Sequence, residues 1–201
     1  MLSFFHNYTF RVFFLIVFAL NPFIYSQSQG MYPVNPIANG YFEPHFGIRA
    51  ESYFSAEDIF VSFGMGMDDL GWDYSASLNF GFRPYFKKVL IKEAEALYYQ
   101  FREKLYFLSI DLEKRFFFLE YEGEKKLGIY TQGKFGYLFG DYRGYSGGVN
   151  SRFLISPSAG AVWQAKNVRI GLGYLHLETS DQSSPNHIEL KLNFFLNKPE
   201  K

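Results

Sequence analysis

Apolar and polar residues alternate along most of the chain beyond residue 40. Between Gly71 and Phe86 one set reads Trp72, Tyr74, Ala76, Leu78, Phe80 and Phe82, and the other reads Asp73, Ser75, Ser77, Asn79, Gly81 and Arg83. A period of two is typical of β-strands, because successive side chains of a strand point to opposite faces. Divided at turn residues, the sequence predicts eight strands, at about 41–51, 57–67, 71–86, 98–115, 127–140, 151–164, 167–178 and 187–197.

The segments between these strands alternate in length. Those at 68–70, 122–126 and 165–167 are short, those at 87–97, 141–150 and 179–186 are long, and the one at 52–56 is intermediate. An up-and-down meander places alternate connections at opposite rims, and short inner turns with longer outer loops are typical of membrane barrels. We therefore predict an all-β fold, an antiparallel up-and-down eight-stranded transmembrane β-barrel with both chain ends at the rim of short turns.

The stretch from Lys87 to Tyr121 fits this division least well. Its part from Glu93 to Glu103 has the pattern of an amphipathic helix, whereas the residues from Tyr106 to Glu113 alternate as a strand does. We favour a hairpin whose strands project beyond the membrane. A count of ten strands is the alternative.

The two faces of the predicted strands differ in size as well as in polarity. One set is large and apolar, and the other is dominated by Ser, Gly, Asn and Ala, which suit a narrow interior. Isolated charges of both signs lie on the small, polar face of the strands. We predict that they pair across the lumen: Arg49, Asp73, Arg83, Asp111, Lys134, Arg169, Glu189 and Lys191. Trp72 and Trp163 border short turns at the apolar parity, which predicts an aromatic girdle. A soluble lipocalin-like barrel is the alternative.

The N-terminus has the three parts of a secretory signal peptide. Arg11 precedes an apolar run from Val12 to Leu20, and the small residue Ser26 stands before Gln27. The run is shorter than the roughly 20 residues of a spanning helix, so a retained anchor is the less favoured alternative. We predict a cleaved signal peptide at 1–26, a short periplasmic segment at 27–40, the barrel at 41–197 and a tail at 198–201.

Composition narrows the function further. The chain has no cysteine, which excludes disulfides, thiolate metal sites and cysteine nucleophiles. Its 20 basic and 20 acidic residues give no net attraction to nucleic acid. Aromatic residues make up 21% of the chain, a load that suits a surface in contact with lipid and two interfaces. No metal site and no cofactor is predicted.

With these features the chain resembles the small outer-membrane β-barrel proteins of the Gram-negative envelope, of the porin family, which include the transmembrane domain of outer membrane protein A and its eight-strand relatives. The final strand, HIELKLNFFLN, resembles the signal read by the barrel-assembly machinery, although six residues follow Phe195. The resemblance implies an outer-membrane location reached through the cleaved signal peptide, outer-membrane lipid and lipopolysaccharide as partners, barrel-assembly machinery during biogenesis, and a monomer.

The sequence favours a structural or surface-binding role, with a lumen filled by polar and charge-paired side chains and function in the outer loops. The loop GDYRGYSGGVNS offers Tyr142, Arg143 and Tyr145 as candidate binding residues. No catalytic residue is predicted and the protein is not expected to be an enzyme. The enzymatic alternative is a lipid-modifying enzyme that resembles the lipid A deacylases and uses His176, but Glu178 stands where that family has serine.

Three further side chains have simpler interpretations. Asp68 and Asp69 are expected to form a tight inner turn rather than a protease pair. His45 is expected to form a hydrogen-bonded pair with Glu43.

Overall fold

The computed structural model describes residues 44–94, 97–121, 124–143, 151–165, 167–179 and 184–196. Within these residues it contains nine β-strands: β1 Pro44–Phe54, β2 Ile59–Asp69, β3 Tyr74–Phe82, β4 Lys87–Ala94, β5 Leu97–Tyr121, β6 Glu124–Arg143, β7 Arg152–Ala165, β8 Val168–His176 and β9 Asn186–Phe195. No helix in this part of the chain is long and apolar enough to cross a membrane.

The strands form a closed antiparallel ring. Consecutive strands pair with each other except β3 and β4; β1 pairs with β9, and β3 pairs directly with β5. β4 pairs only with the first residues of β5, so it continues the line of β3 beyond the rim. The ring therefore contains eight strands, which confirms the predicted up-and-down barrel. The ambiguous stretch is the projecting hairpin, and residues 97–103 are a strand rather than a helix.

The turn between β2 and β3 lies further along the chain than predicted. Asp68 and Asp69 end β2, and the turn lies at 70–73, where Asp73 has a positive φ of 56°. The backbone N–H groups of Gly71 and Trp72 donate to the Asp69 carboxylate, which therefore holds the turn. The prediction that Asp68 forms the turn is wrong, because its side chain is buried within the barrel.

Polarity is inverted relative to a soluble protein. Large apolar side chains are exposed around the exterior, including Met65 at 71% and Phe153 at 85%, while the interior contains Arg, Lys, Asp and Glu that are buried almost completely. Trp72 and Trp163 are also exposed, near the rim with the short turns. An apolar outer band around a polar interior is the arrangement of a transmembrane barrel, which confirms the predicted fold class.

Small residues make room for the large ones inside this narrow barrel. An ideal Cβ placed on Gly81 of β3 would lie 2.1 Å from the ring of Phe107 on the neighbouring β5. The ring occupies the space that a side chain at 81 would need. Alternation of small and large residues is how small barrels fill their interiors, so the glycines of the inward parity have a packing role.

Candidate functional site

Lys134 is the centre of the main ion-pair cluster in the lumen. Its Nζ atom lies 2.6 Å from a carboxylate oxygen of Glu51, 2.6 Å from one of Asp111 and 3.4 Å from one of Glu189. The Tyr130 hydroxyl donates to Glu189 at 2.9 Å and the Gln132 amide donates to Asp111 at 2.7 Å. A buried charge is tolerated when it has such partners. One ammonium group thus links strands β1, β5, β6 and β9.

A second cluster lies nearer the rim of short turns and reverses the signs. The Asp68 carboxylate lies 2.5 Å from Arg115, 2.6 Å from Arg169 and 3.6 Å from Arg49. Lys191 bonds to Glu113 and Gln132, and its Nζ lies 3.9 Å from the centre of the Tyr130 ring. These contacts join the two clusters into one network across the inner part of the lumen.

The network is balanced in charge. It contains five basic side chains and five acidic ones, all nearly inaccessible to solvent: Arg49, Arg115, Lys134, Arg169 and Lys191 with Glu51, Asp68, Asp111, Glu113 and Glu189. A balanced, buried network gives the lumen no net field to attract a mobile ion. Its geometry favours a structural filling rather than an ion pathway.

The outer part of the lumen is filled in a different way. A cluster of buried apolar side chains, here called the apolar layer, crosses the barrel above the charges: Tyr53, Phe60, Leu105, Phe107, Leu138, Leu154, Leu175 and Leu177. The predicted filling by polar and charge-paired side chains therefore does not describe this layer. The alternation of residues shows only that these side chains point inward, as the charged ones do. It does not show their height along the barrel axis, which is where the two sets differ.

An ion cluster covers the apolar layer on its outer side. The Arg83 guanidinium stands 5.2 Å from the Phe60 ring and lies 2.5 Å from Asp58 and 2.8 Å from Glu103. Lys87 and the Tyr85 hydroxyl also contact Asp58. Burial acts to raise the pKa of Asp58, but hydrogen bonds and charge from Arg83 outweigh it and hold that pKa below its ordinary value. Asp58 therefore stays ionised at neutral pH.

Strands β4, β5 and β6 continue beyond this rim as a three-stranded sheet, here called the outer extension. β5 has 25 residues, well over the about 9–11 that a tilted spanning strand needs. On the side that faces the barrel mouth, the rings of Tyr99, Phe101 and Tyr142 follow one another with centroid distances of 6.3 Å. On the opposite face lie the charged residues Lys88, Arg102, Lys104, Asp141 and Arg143.

The predicted lumen charges divide between these regions. Arg49, Asp111, Lys134, Arg169, Glu189 and Lys191 belong to the inner network. Arg83 belongs instead to the outer ion cluster, and Asp73 lies in the inner turn, where its carbonyl accepts the Arg115 N–H.

The predicted loop residues are also separated. Tyr142 and Arg143 end β6 on opposite faces, with Tyr142 packed against the apolar layer and Arg143 exposed. Tyr145 lies outside the described residues, as does Glu43, the predicted partner of the buried His45. His176 ends β8, partly buried and opposite Asn186.

Several members of the clusters were not predicted as site residues. They are Glu51, Asp58, Asp68, Glu103, Glu113 and Arg115. The sequence pattern could have identified some of them. Glu51 lies two positions after Arg49, and Glu113 and Arg115 lie two and four positions after Asp111, so each shares the inward face of its strand with a predicted lumen charge. Among the described residues, no group of three or more His, Cys, Asp or Glu has the geometry to hold a metal ion.

Comparison with solved structures finds outer-membrane proteins of low sequence identity. The N-terminal β-barrel domain of Pseudomonas aeruginosa OprF is similar, with a TM-score of 0.51 at 11% identity over 78% of this chain and 100% of that one. Neisserial surface protein A gives a TM-score of 0.45 at 9% identity, over 75% and 94%. Outer membrane protein H of P. aeruginosa gives 0.41 at 13%, over 77% and 100%. No family model matches the chain, and no curated protein matches it in sequence.

Proposed function

We propose that this protein is a non-enzymatic outer-membrane barrel, a closed scaffold that holds the outer extension above the membrane for surface contacts. The observation that carries the proposal is the inverted polarity, with an apolar exterior and a charge-balanced interior. The fold shared with the OprF barrel domain supports it. The signal-peptide pattern at 1–26 supplies the route of export.

The membrane environment is tested by one substitution at two places. Leu78 on β3 and Leu90 on β4 are similarly exposed, at 51% and 54%, but only Leu78 lies within the ring of eight strands. Leu78→Arg is expected to cost about 2 to 4 kcal/mol of unfolding free energy in lipid vesicles, since arginine at the midplane loses its hydration. Leu90→Arg is the matched control and is expected to cost little. Equal costs at the two positions would contradict a membrane-embedded ring.

Location and orientation are tested on whole cells. The chain has no cysteine, so single cysteines can be introduced and labelled selectively. Gln100→Cys in the outer extension is expected to react with a membrane-impermeant maleimide on intact cells, while Asn167→Cys at the opposite rim reacts only after lysis. Fractionation is expected to recover the chain with the outer membrane, in a heat-modifiable form. Recovery in the soluble fraction, as a lipocalin-like barrel would give, contradicts the proposal.

The closed lumen is part of the proposal. An eight-strand barrel has room only for side chains, and here the inner network, the apolar layer and the outer ion cluster follow one another along the axis. The purified protein is expected to give no steady conductance in planar bilayers. Stable ion-selective steps from the folded monomer would contradict a closed scaffold.

The non-enzymatic part of the proposal has its own test. His176→Ala is expected to leave the acylation pattern of lipid A unchanged when cells with and without the variant are compared by mass spectrometry. A change that depends on His176 would favour the lipid-modifying alternative.

A further inference from the structure

The outward face of the outer extension has an unusual row of cations. Arg102 of β5 is the direct cross-strand neighbour of Lys88 on β4 and of Arg143 on β6. Directly opposed side chains of one face stand about 4.5 to 5.5 Å apart at their Cβ atoms, and like charges so placed repel each other. The sheet therefore holds three cations together at a cost in stability, which an anion between them would offset.

No acidic partner of this row is found within the part of the chain that the structure describes. None of the ion pairs among the described residues involves Lys88, Arg102 or Arg143, and all three side chains are exposed. Among the side chains described on this face there is one carboxylate, that of Asp141, which stands opposite Lys104 one step closer to the membrane. The patch of four cations and Asp141 keeps a net positive charge.

The position of the row relates it to the membrane surface. Immediately below it, the Lys104 ammonium and the Arg143 guanidinium lie 5.2 and 5.9 Å from the ring of Phe86. One step further down, the rings of Phe80, Tyr106 and Phe139 stack in a line, with centroid distances of 6.2 and 5.7 Å. Stacked aromatic side chains on the outside of a barrel mark the interface between lipid tails and head groups. The cations therefore stand at the height of the head groups.

From this arrangement we infer that Lys88, Arg102 and Arg143 form a binding site for the phosphate groups of an outer-leaflet lipid. This inference rests on the proposed membrane location and assigns particular residues to the lipid partner that the resemblance implies. Guanidinium groups are suited to phosphate because their paired N–H donors match its oxygens. The acyl chains of the same lipid would lie along the aromatic line, so one molecule contacts both features. A free phosphate would use only the cations.

The test compares lipid binding to the folded full-length mature protein in detergent. Native mass spectrometry measures retention of bisphosphorylated lipid A, of the same lipid without its phosphates, and of lipid A in a large excess of inorganic phosphate. The variant Arg102→Gln/Arg143→Gln is expected to bind bisphosphorylated lipid A roughly tenfold or more weakly, since each charge-assisted hydrogen bond contributes about that factor. The matched control Lys125→Gln/Lys126→Gln removes the same charge near the opposite end of β6 and is expected to bind as the wild type does.

Three outcomes overturn the inference: equal binding by the variant and the wild type, equal binding of the lipid without phosphates, or complete displacement by inorganic phosphate, which would indicate a site for a free anion. Heat-modifiability shows that each variant is folded, and Arg143→Gln alone, at the end of β6, replaces the double variant where that does not fold. Because binding is measured in detergent on folded protein, its failure leaves the membrane location standing. That location fails only in the fractionation and labelling experiments.

Discussion

The two parts of the lumen fill the same narrow space with opposite chemistry. The inner network holds ten charged side chains in balance, whereas the apolar layer consists of aromatic and aliphatic groups that pack without ion pairs. Both sets of side chains point into the interior of the barrel. The comparison shows that the interior of a membrane barrel need not be polar throughout, because side chains buried from both lipid and water can be satisfied by pairing or by packing.

Removing the central cation is expected to have the largest effect. Lys134→Met leaves three buried carboxylates without their shared ammonium group, and loss of one partner from a buried ion pair costs about 3 to 5 kcal/mol. The measurement is the free energy of unfolding by urea titration in lipid vesicles. Adding Glu51→Gln to the same variant restores part of the charge balance and is expected to recover part of the stability. A single variant as stable as the wild type would show that the network does not stabilise the barrel.

A truncation in the apolar layer is expected to follow closely. Leu175 is completely buried, so Leu175→Ala leaves a cavity and is expected to cost about 2 to 5 kcal/mol. Leu172 lies on the same strand and is 57% exposed on the lipid face. Leu172→Ala is the matched control, and its expected cost is much smaller because lipid fills the space. If both variants lose the same stability, the apolar layer is not a packed core.

Removal of one hydroxyl from the network is expected to have an intermediate effect. In the sequence, Ser77 is one of many small polar residues on the inward face, with nothing to indicate a specific contact. In the structure its hydroxyl accepts hydrogen bonds from Arg49 at 3.0 Å and from Asn79 at 2.9 Å. Ser77→Ala is expected to cost about 1 to 2 kcal/mol, since two buried donors lose their acceptor. Ser52→Ala, on the outward face of β1, is the control in the same urea titration. An unchanged midpoint for Ser77→Ala would show that water replaces the hydroxyl.

The smallest expected effect concerns pH at the outer ion cluster. The pKa of Asp58 is lowered from its ordinary value of 3.8, so its contribution to stability is fully present above that value and is lost as the pH falls through the lowered pKa. Stability is therefore expected to be insensitive to Asp58 between about pH 7 and about pH 5. Below that range, the pH dependence of unfolding is expected to weaken in Asp58→Asn. A difference in slope at neutral pH would contradict this sign.

The sequence predicted most of the architecture and less of the chemistry inside it. The alternation of Leu78 and Phe80 with Ser77 and Asn79 identified both faces of β3, and the same pattern located the other strands. The alternation of residues does not show how far along the barrel axis a side chain lies. The sequence therefore predicted Arg83 and Lys134 as members of one set of lumen charges, although they belong to different clusters. The boundary near Asp68 was also misplaced, because aspartate favours both turns and buried pairing with arginine.

By itself, the sequence determined where the strands lie and which of their side chains face inward, because a period of two is a local property of each strand. Only the tertiary structure decided which charges meet. Lys134 and Glu51 are separated by 83 positions and Arg169 and Asp68 by 101, and their contact depends on the register and tilt at which the sheet closes. The same register aligns Lys88, Arg102 and Arg143. Side-chain partners across a closed barrel are therefore a property of the whole ring rather than of any one strand.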